Sequence, residues 1–138
     1  MTLKDFLNEN DRFAKSSGAV ITELREGYAR GELKVEDCHL NGGGVCQGGA
    51  IFTLADLVFA AAVNSHKTLT FSIQSSISFF KSAMKGDVLS AEAIETFNHK
   101  RVPYCEVKVT NQNGELISAF TGVCYRKTGV EMPVDGLS

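Results

Sequence analysis

With 138 residues and 14 Lys and Arg against 16 Asp and Glu, the chain has the length of one domain, enough to bury a single core. The slight acidic balance, without any basic run, argues against a nucleic-acid surface. Its four cysteines, Cys38, Cys46, Cys105 and Cys124, form no C-x-x-C pair and no metal-type spacing with His39, His66 or His99, so free thiols and no metal are expected. The N-terminal residues lack the basic start, apolar core and small-residue site of a leader, and a cytoplasmic protein without a membrane partner is expected.

In chain order, residues 2–15 place Leu3, Phe6, Leu7, Phe13 and Ala14 at helical spacing, which predicts one amphipathic surface helix ended by Ser16-Ser17-Gly18. From Ala19 to Val35 the pattern alternates but changes parity near Gly27, so either one bent strand or a hairpin is expected. A loop from Cys38 to Cys46 carries Asn41 and three consecutive glycines, suited to a ligand, a neighbouring chain or a plain connector.

Gln47 to His66 follows, QGGAIFTLADLVFAAAVNSH, with almost no polar face. A helix apolar all round must be buried on all sides, and this one holds a single carboxylate, Asp56.

After it, Leu69 to Lys81 alternates strictly. Leu69, Phe71, Ile73, Ser75, Ile77 and Phe79 share one face, and Thr70, Ser72, Gln74, Ser76 and Ser78 share the other. The second face carries no charge, which predicts cover by a ligand or another subunit. Strands are expected at Val88–Phe97, Tyr104–Thr110 and Leu116–Arg126, with a type I′ turn at Asn113-Gly114. The expected divisions are a surface helix over 1–16, one α+β domain over 17–127, and a loose tail over 128–138. A twisted antiparallel sheet wrapped around the one central helix satisfies this order.

Helix geometry restricts the chemistry. The first backbone N–H groups, at Gly48 and Gly49, are unpaired donors at the positive end of the helix dipole, and glycine lets a carbonyl approach them. Equally, paired glycines allow close helix-on-sheet packing. Asp56 is either a carboxylate satisfied by the hydroxyl face of the next strand or a base or nucleophile with a raised pKa. It lies about 12 Å along the axis from Gly48. One carbonyl cannot reach both in one chain, so if both act, the site joins two subunits.

These residues bring the chain close to a known family. Asn41-Gly42-Gly43-Gly44, followed by Gln47-Gly48-Gly49 and Leu54-Ala55-Asp56, resembles the hotdog-fold acyl-CoA thioesterases of the phenylacetate-pathway (PaaI-like) type. Asn64-Ser65, Phe79-Phe80, Gly86-Asp87 and Asn113-Gly114 fall in the expected order. The resemblance implies hydrolysis of an acyl-CoA by a homodimer or dimer of dimers, with coenzyme A as part of the substrate and no separate cofactor. It implies Asp56 as nucleophile or general base, Gly48 as oxyanion donor, and Asn41 and Ser72 as groups that position carbonyl or water. Gln47 stands where the family usually has His, which leaves a non-catalytic acyl-CoA-binding protein as the alternative. Substrate contacts are expected from Gly49, Phe52, Gln74 and Phe80. Lys100 and Arg101, with Lys81 and Lys85, are candidates for the phosphates of coenzyme A.

Overall fold

A computed structural model describes all residues, 1–138. Two short helices open the chain, α1 (Leu3–Asn10) and α2 (Arg12–Ser17), followed by the strands β1 (Val20–Arg25) and β2 (Tyr28–Lys34). The central helix α3 (Gly48–Val63) precedes β3 (Thr68–Phe79), β4 (Val88–Phe97), β5 (Tyr104–Thr110) and β6 (Leu116–Glu131). The strands form one antiparallel six-stranded sheet in the order β1-β2-β4-β5-β6-β3. The sheet curls around α3, as the sequence pattern requires: helix residues Leu54, Ala55, Val58, Ala61 and Ala62 have no accessible surface, nor do Ala91, Ala93 and Val109 of the sheet. With its following turn the helix spans 19 residues, apolar and long enough to cross a membrane by composition, yet here protein covers most of it.

Close approach of helix and sheet depends on two glycines. A Cβ at Gly31 would lie 2.7 Å from Val58, and one at Gly122 would lie 2.5 Å from the Phe59 ring. Such overpacking forces shifts costing about 1–3 kcal/mol.

Several local expectations change. The N-terminal helix is two, because Asp11 ends α1 and caps α2 by accepting the Ala14 N–H at 3.1 Å. That break turns Phe13 outward, to 70% exposure, while Leu3 and Ala14 stay buried. Residues 19–35 are a hairpin, turning at Gly27 with φ of 71°. At the β5–β6 turn only Gly114 has positive φ, so the turn is not type I′. The amide of Asn111, accepting the N–H groups of Asn113 and Glu115 at 3.0 Å each, builds a wider loop. The C-terminal residues are not a loose tail. Strand β6 continues to Glu131, Leu137 packs on the core, and the carbonyls of Gly136 and Leu137 accept the N–H groups of Leu3 and Lys4.

The largest correction concerns β3. Bulges interrupt its pairing with β6 between Thr68 and Thr70 and between Ser72 and Gln74. Ser72 lies opposite buried Cys124, whereas Gln74 lies opposite Val123 on the outer face. Beyond the bulge Ser75 and Ile77 pair with buried Gly122 and Phe120, so they take the helix side. A single inserted residue reverses the parity of a strand. Ser72 and Gln74 therefore do not share a face.

Candidate active site

The first turn of α3 is built from its cap outward. Gln47 is the N-cap, and its Oε1 accepts the Gly49 N–H at 2.9 Å. Gln47's own N–H donates to the His39 carbonyl at 2.7 Å, and Cys46 N–H donates to the Ala83 carbonyl at 2.8 Å. Of the two glycine donors expected to be free, Gly49 is thus occupied. Gly48 N–H has no acceptor in the chain, and Gly48 lines a cavity of about 390 Å³ with Cys46, Ile51, Phe79, Phe80, Lys81, Ser82 and Ala83. Gly48 lies close under Phe79: a Cβ would stand 2.9 Å from the tip of that half-exposed ring, which would have to turn aside.

Asn41 shapes the preceding loop. Its Oδ1 accepts the N–H groups of Gly43 at 2.9 Å and Val45 at 3.3 Å, which folds the glycine run into a turn. Asn41, Gln47 and Gly49 share a second cavity of about 450 Å³ with Phe13, His39 and Thr53.

Asp56 opens into a third cavity, of about 210 Å³, with Phe59, Ala60, Val63, Thr70, Phe71 and Ser72. Burial, with the nearby negative charge of Asp11, raises the carboxyl's pKa above the ordinary aspartate value, and no hydrogen bond lowers it. The hydroxyl face does not satisfy this carboxylate. Ser72 reaches its cavity, while Gln74 on the outer face does not.

The helix is not buried on all sides. Gly49, Phe52, Thr53, Asp56 and Ala60, at spacings of three and four, form one stripe left partly or fully open. Phe52 sits on it with its ring edge against Phe120, centroids 5.3 Å apart.

The far end of the helix is held by two side chains whose bonds the sequence does not disclose. Asn64 donates to the carbonyls of Ala60 and Thr70 at 2.9 and 2.8 Å and accepts the Thr70 N–H at 2.8 Å. Ser65 accepts the Gly27 N–H at 2.7 Å. The dipeptide Asn64-Ser65 was visible as a family match, without its mechanism: one residue ties α3 to β3, the other to the first hairpin.

Beyond it, Glu95 is buried between His66 Nε2 at 2.7 Å and Arg126 Nη2 at 3.6 Å. Arg126 also donates to Asn98 Oδ1 and binds the carbonyl of Arg101 through its own N–H. Lys100 and Arg101 therefore lie, exposed, at the end of the molecule opposite Gly48 of the same chain. Of the other cations, Lys81 pairs with Glu115, and Lys85 with Asp37 at 2.8 Å. Burial raises the thiol pKa of Cys46, which opposes a reactive thiolate beside the helix start.

A strongly curled antiparallel sheet around one helix, with a donor glycine at the helix start and a carboxylate in its middle, defines a hotdog-fold protein of the thioester-hydrolase class. The thioesterase superfamily model matches residues 43–118, and the chain belongs to that superfamily. A protein of Archaeoglobus fulgidus designated an esterase is 42% identical over 90% of this chain and 80% of its own. The Escherichia coli acyl-coenzyme A thioesterase PaaI is 33% identical over 88% of this chain and 86% of its own. Its solved structure superposes with a TM-score of 0.87 over 91% of each chain. A Streptococcus pneumoniae protein described as a hypothetical thioesterase, solved with coenzyme A, has 26% identity and a TM-score of 0.83, covering 91% of this chain and 98% of that one. The chain is thus a PaaI-like hotdog thioesterase.

Proposed function

We propose that the protein hydrolyses an acyl-CoA to a free acid and coenzyme A, in two equivalent sites each made by two subunits. The observation that carries this reading is that Gly48 N–H and Asp56 open into separate cavities of one chain. They stand about 12 Å apart along the helix axis. If two copies of α3 pack antiparallel about a two-fold axis near Phe52, midway between them, Gly48 of each faces Asp56 of the other. The open stripe of α3 then becomes the contact between helices, and the uncharged edge strand β3 continues into the partner's sheet.

In such a site the carboxylate of Asp56 takes a proton from water as its oxygen attacks the thioester carbonyl. Gly48 N–H, fixed at the helix start, stabilises the charge that collects on the carbonyl oxygen. The C–S bond breaks, and the departing thiolate takes the proton from Asp56. Direct attack by Asp56, through an anhydride that water then opens, uses the same geometry. Ser72, which lines the cavity with Asp56, holds the water in this reading. Asn41 acts through the loop it folds, and Gln47, by occupying Gly49, leaves Gly48 as the one free donor. Gln47 does this with its amide alone, so the imidazole usual at that position is dispensable for the donor. Lys100 and Arg101 are too remote to serve Gly48 of their own chain, and any contact with coenzyme A falls to the site that holds their own chain's Asp56. None of these steps needs a cofactor.

Mixing two inactive variants tests the shared site. Asp56→Ala and Gly48→Pro should each lose at least about 10²–10³ in kcat. Pro removes the N–H at a first-turn position where helices accept it. Heterodimers of the two carry one site with both groups intact, so random exchange should restore about a quarter of the wild-type rate. No recovery in verified heterodimers would place the site within one chain. Thiol release over an acyl-CoA panel tests the activity itself: binding without release on every member would favour the non-catalytic alternative.

A further inference from the structure

The free donor at Gly48 is only as well placed as the segment that precedes it, and a single buried imidazole joins the pieces that hold that segment. We propose that His39 is a positioning residue for the oxyanion donor, acting as the tautomer protonated on Nε2. The residue is 7% exposed, and its ring bridges two backbones. Nδ1 accepts the Glu36 N–H at 2.9 Å, and Nε2 lies 2.6 Å from the Ser17 carbonyl oxygen. An amide N–H can only donate and a carbonyl can only accept, so both bonds are made by one tautomer alone. An imidazolium would set a second N–H against that of Glu36.

The same residue reaches the site through its backbone. The His39 carbonyl accepts the Gln47 N–H at 2.7 Å, and the neighbouring residues Leu40 and Cys46 form an antiparallel bridge. One residue therefore ties together three pieces: its ring joins the end of α2 to the corner after β2, and its carbonyl holds the residue that directly precedes Gly48. The sequence supports this design: Glu36 and His39 make a capping box in which His stands where Glu or Gln is usual. His39 also lines the cavity that holds Asn41, Gln47 and Gly49, without touching the Gly48 cavity. Its effect is on where the donor points, and a displacement of the order of 1 Å costs about 10²-fold in rate.

The role in turnover rests on the thioesterase reading above, whereas the tautomer is independent of it. Nitrogen-15 spectra of imidazole-labelled wild-type protein should show His39 protonated on Nε2 alone at neutral pH; a Nδ1–H or doubly protonated ring overturns the proposal even if the enzyme is active. In kinetics, His39→Phe keeps the ring shape and loses both bonds. Its kcat should fall at least about tenfold, with KM within about threefold of wild type. His39→Gln keeps an acceptor for Glu36 and a donor within reach of Ser17, and should recover kcat to within about threefold of wild type. A Phe variant with wild-type kcat, or a Gln variant as slow as Phe, overturns it. If His39→Phe does not fold, the Gln variant decides: a kcat more than tenfold down counts against the proposal. A wild-type protein that releases no thiol from any acyl-CoA sinks the thioesterase reading and leaves the tautomer to be read by itself.

Discussion

The two edges of the sheet are treated in opposite ways. Along β1, Glu23 and Arg25 pair at 2.6 Å, and the Asn8 side chain from α1 occupies both backbone groups of Ile21, donating at 3.0 Å and accepting at 2.8 Å. An amide side chain thus stands in for a further strand. Along the twelve residues of β3 there is no charged side chain, while Phe71, Ile73 and Phe79 are 47%, 58% and 50% exposed. Natural edges are guarded by charge, cover, shortness or bulges, and the long, uncharged, uncovered β3 has only its two bulges. The sheet is closed off at β1 and open at β3, on the side where Asp56 lies, which is the edge the proposed two-chain site would use.

Guarding β3 as β1 is guarded should have the largest consequence. Ser76→Lys with Ser78→Lys places like charges on an edge that would pair with its own copy, where they repel. The expected outcome is a monomer on light scattering with kcat reduced by at least about 10²–10³, since each site loses one of its two groups. Thr22→Lys, on the edge already guarded, should leave both oligomeric state and rate as in the wild type. A fully active monomer would end the two-chain site.

A smaller change sharpens the other half. Asn8→Ala strips Ile21 of both partners and should cost about 1–3 kcal/mol. Urea unfolding at a fixed protomer concentration measures it, because assembly adds to apparent stability. Turnover per folded protein should stay unchanged, since β1 lies away from the site. If stability also stays unchanged, water replaces the amide and the edge is less closed than it looks.

The two edges also show what the sequence discloses. That Thr68–Phe79 forms a strand without charge is plain from the residues, as is one apolar helix carrying one carboxylate, because composition and periodicity are local properties. The bulge at Ile73 is not legible: alternation runs through it unbroken, and only pairing with β6 shows that Ser72 and Gln74 part company. Nothing in the sequence marks Asn8 or Asn111, whose amides take the place of backbone partners in the fold. Gly48 and Gly49 look equivalent, and the side chain of Gln47 makes them different. The candidate site was legible wherever a single residue type marks it, as the lone carboxylate Asp56 does on an apolar helix. It was hidden wherever the role depends on a hydrogen bond to something distant in sequence.

The subtlest test returns to the carboxylate beside the open edge. Burial and the charge of Asp11 raise the pKa of Asp56 in the folded protein above the ordinary value. Its unfolded value is about 3.9. A carboxyl with a raised folded pKa binds protons more tightly when folded, so it opposes stability once both states are ionised. Below the unfolded value both states are protonated and the penalty is absent; it grows as the pH rises from there through the folded pKa. Asp56→Asn removes the ionisation and nearly keeps the shape. The Asn variant should therefore melt higher than wild type near neutral pH, and the gap should close on acidification below the unfolded value. Wild-type kcat/KM should rise over that same upper window, as the base form is populated. A gap of constant size at all pH values would mean that the charge is not what the fold resists, and that Asp56 is better solvated than its place on α3 implies.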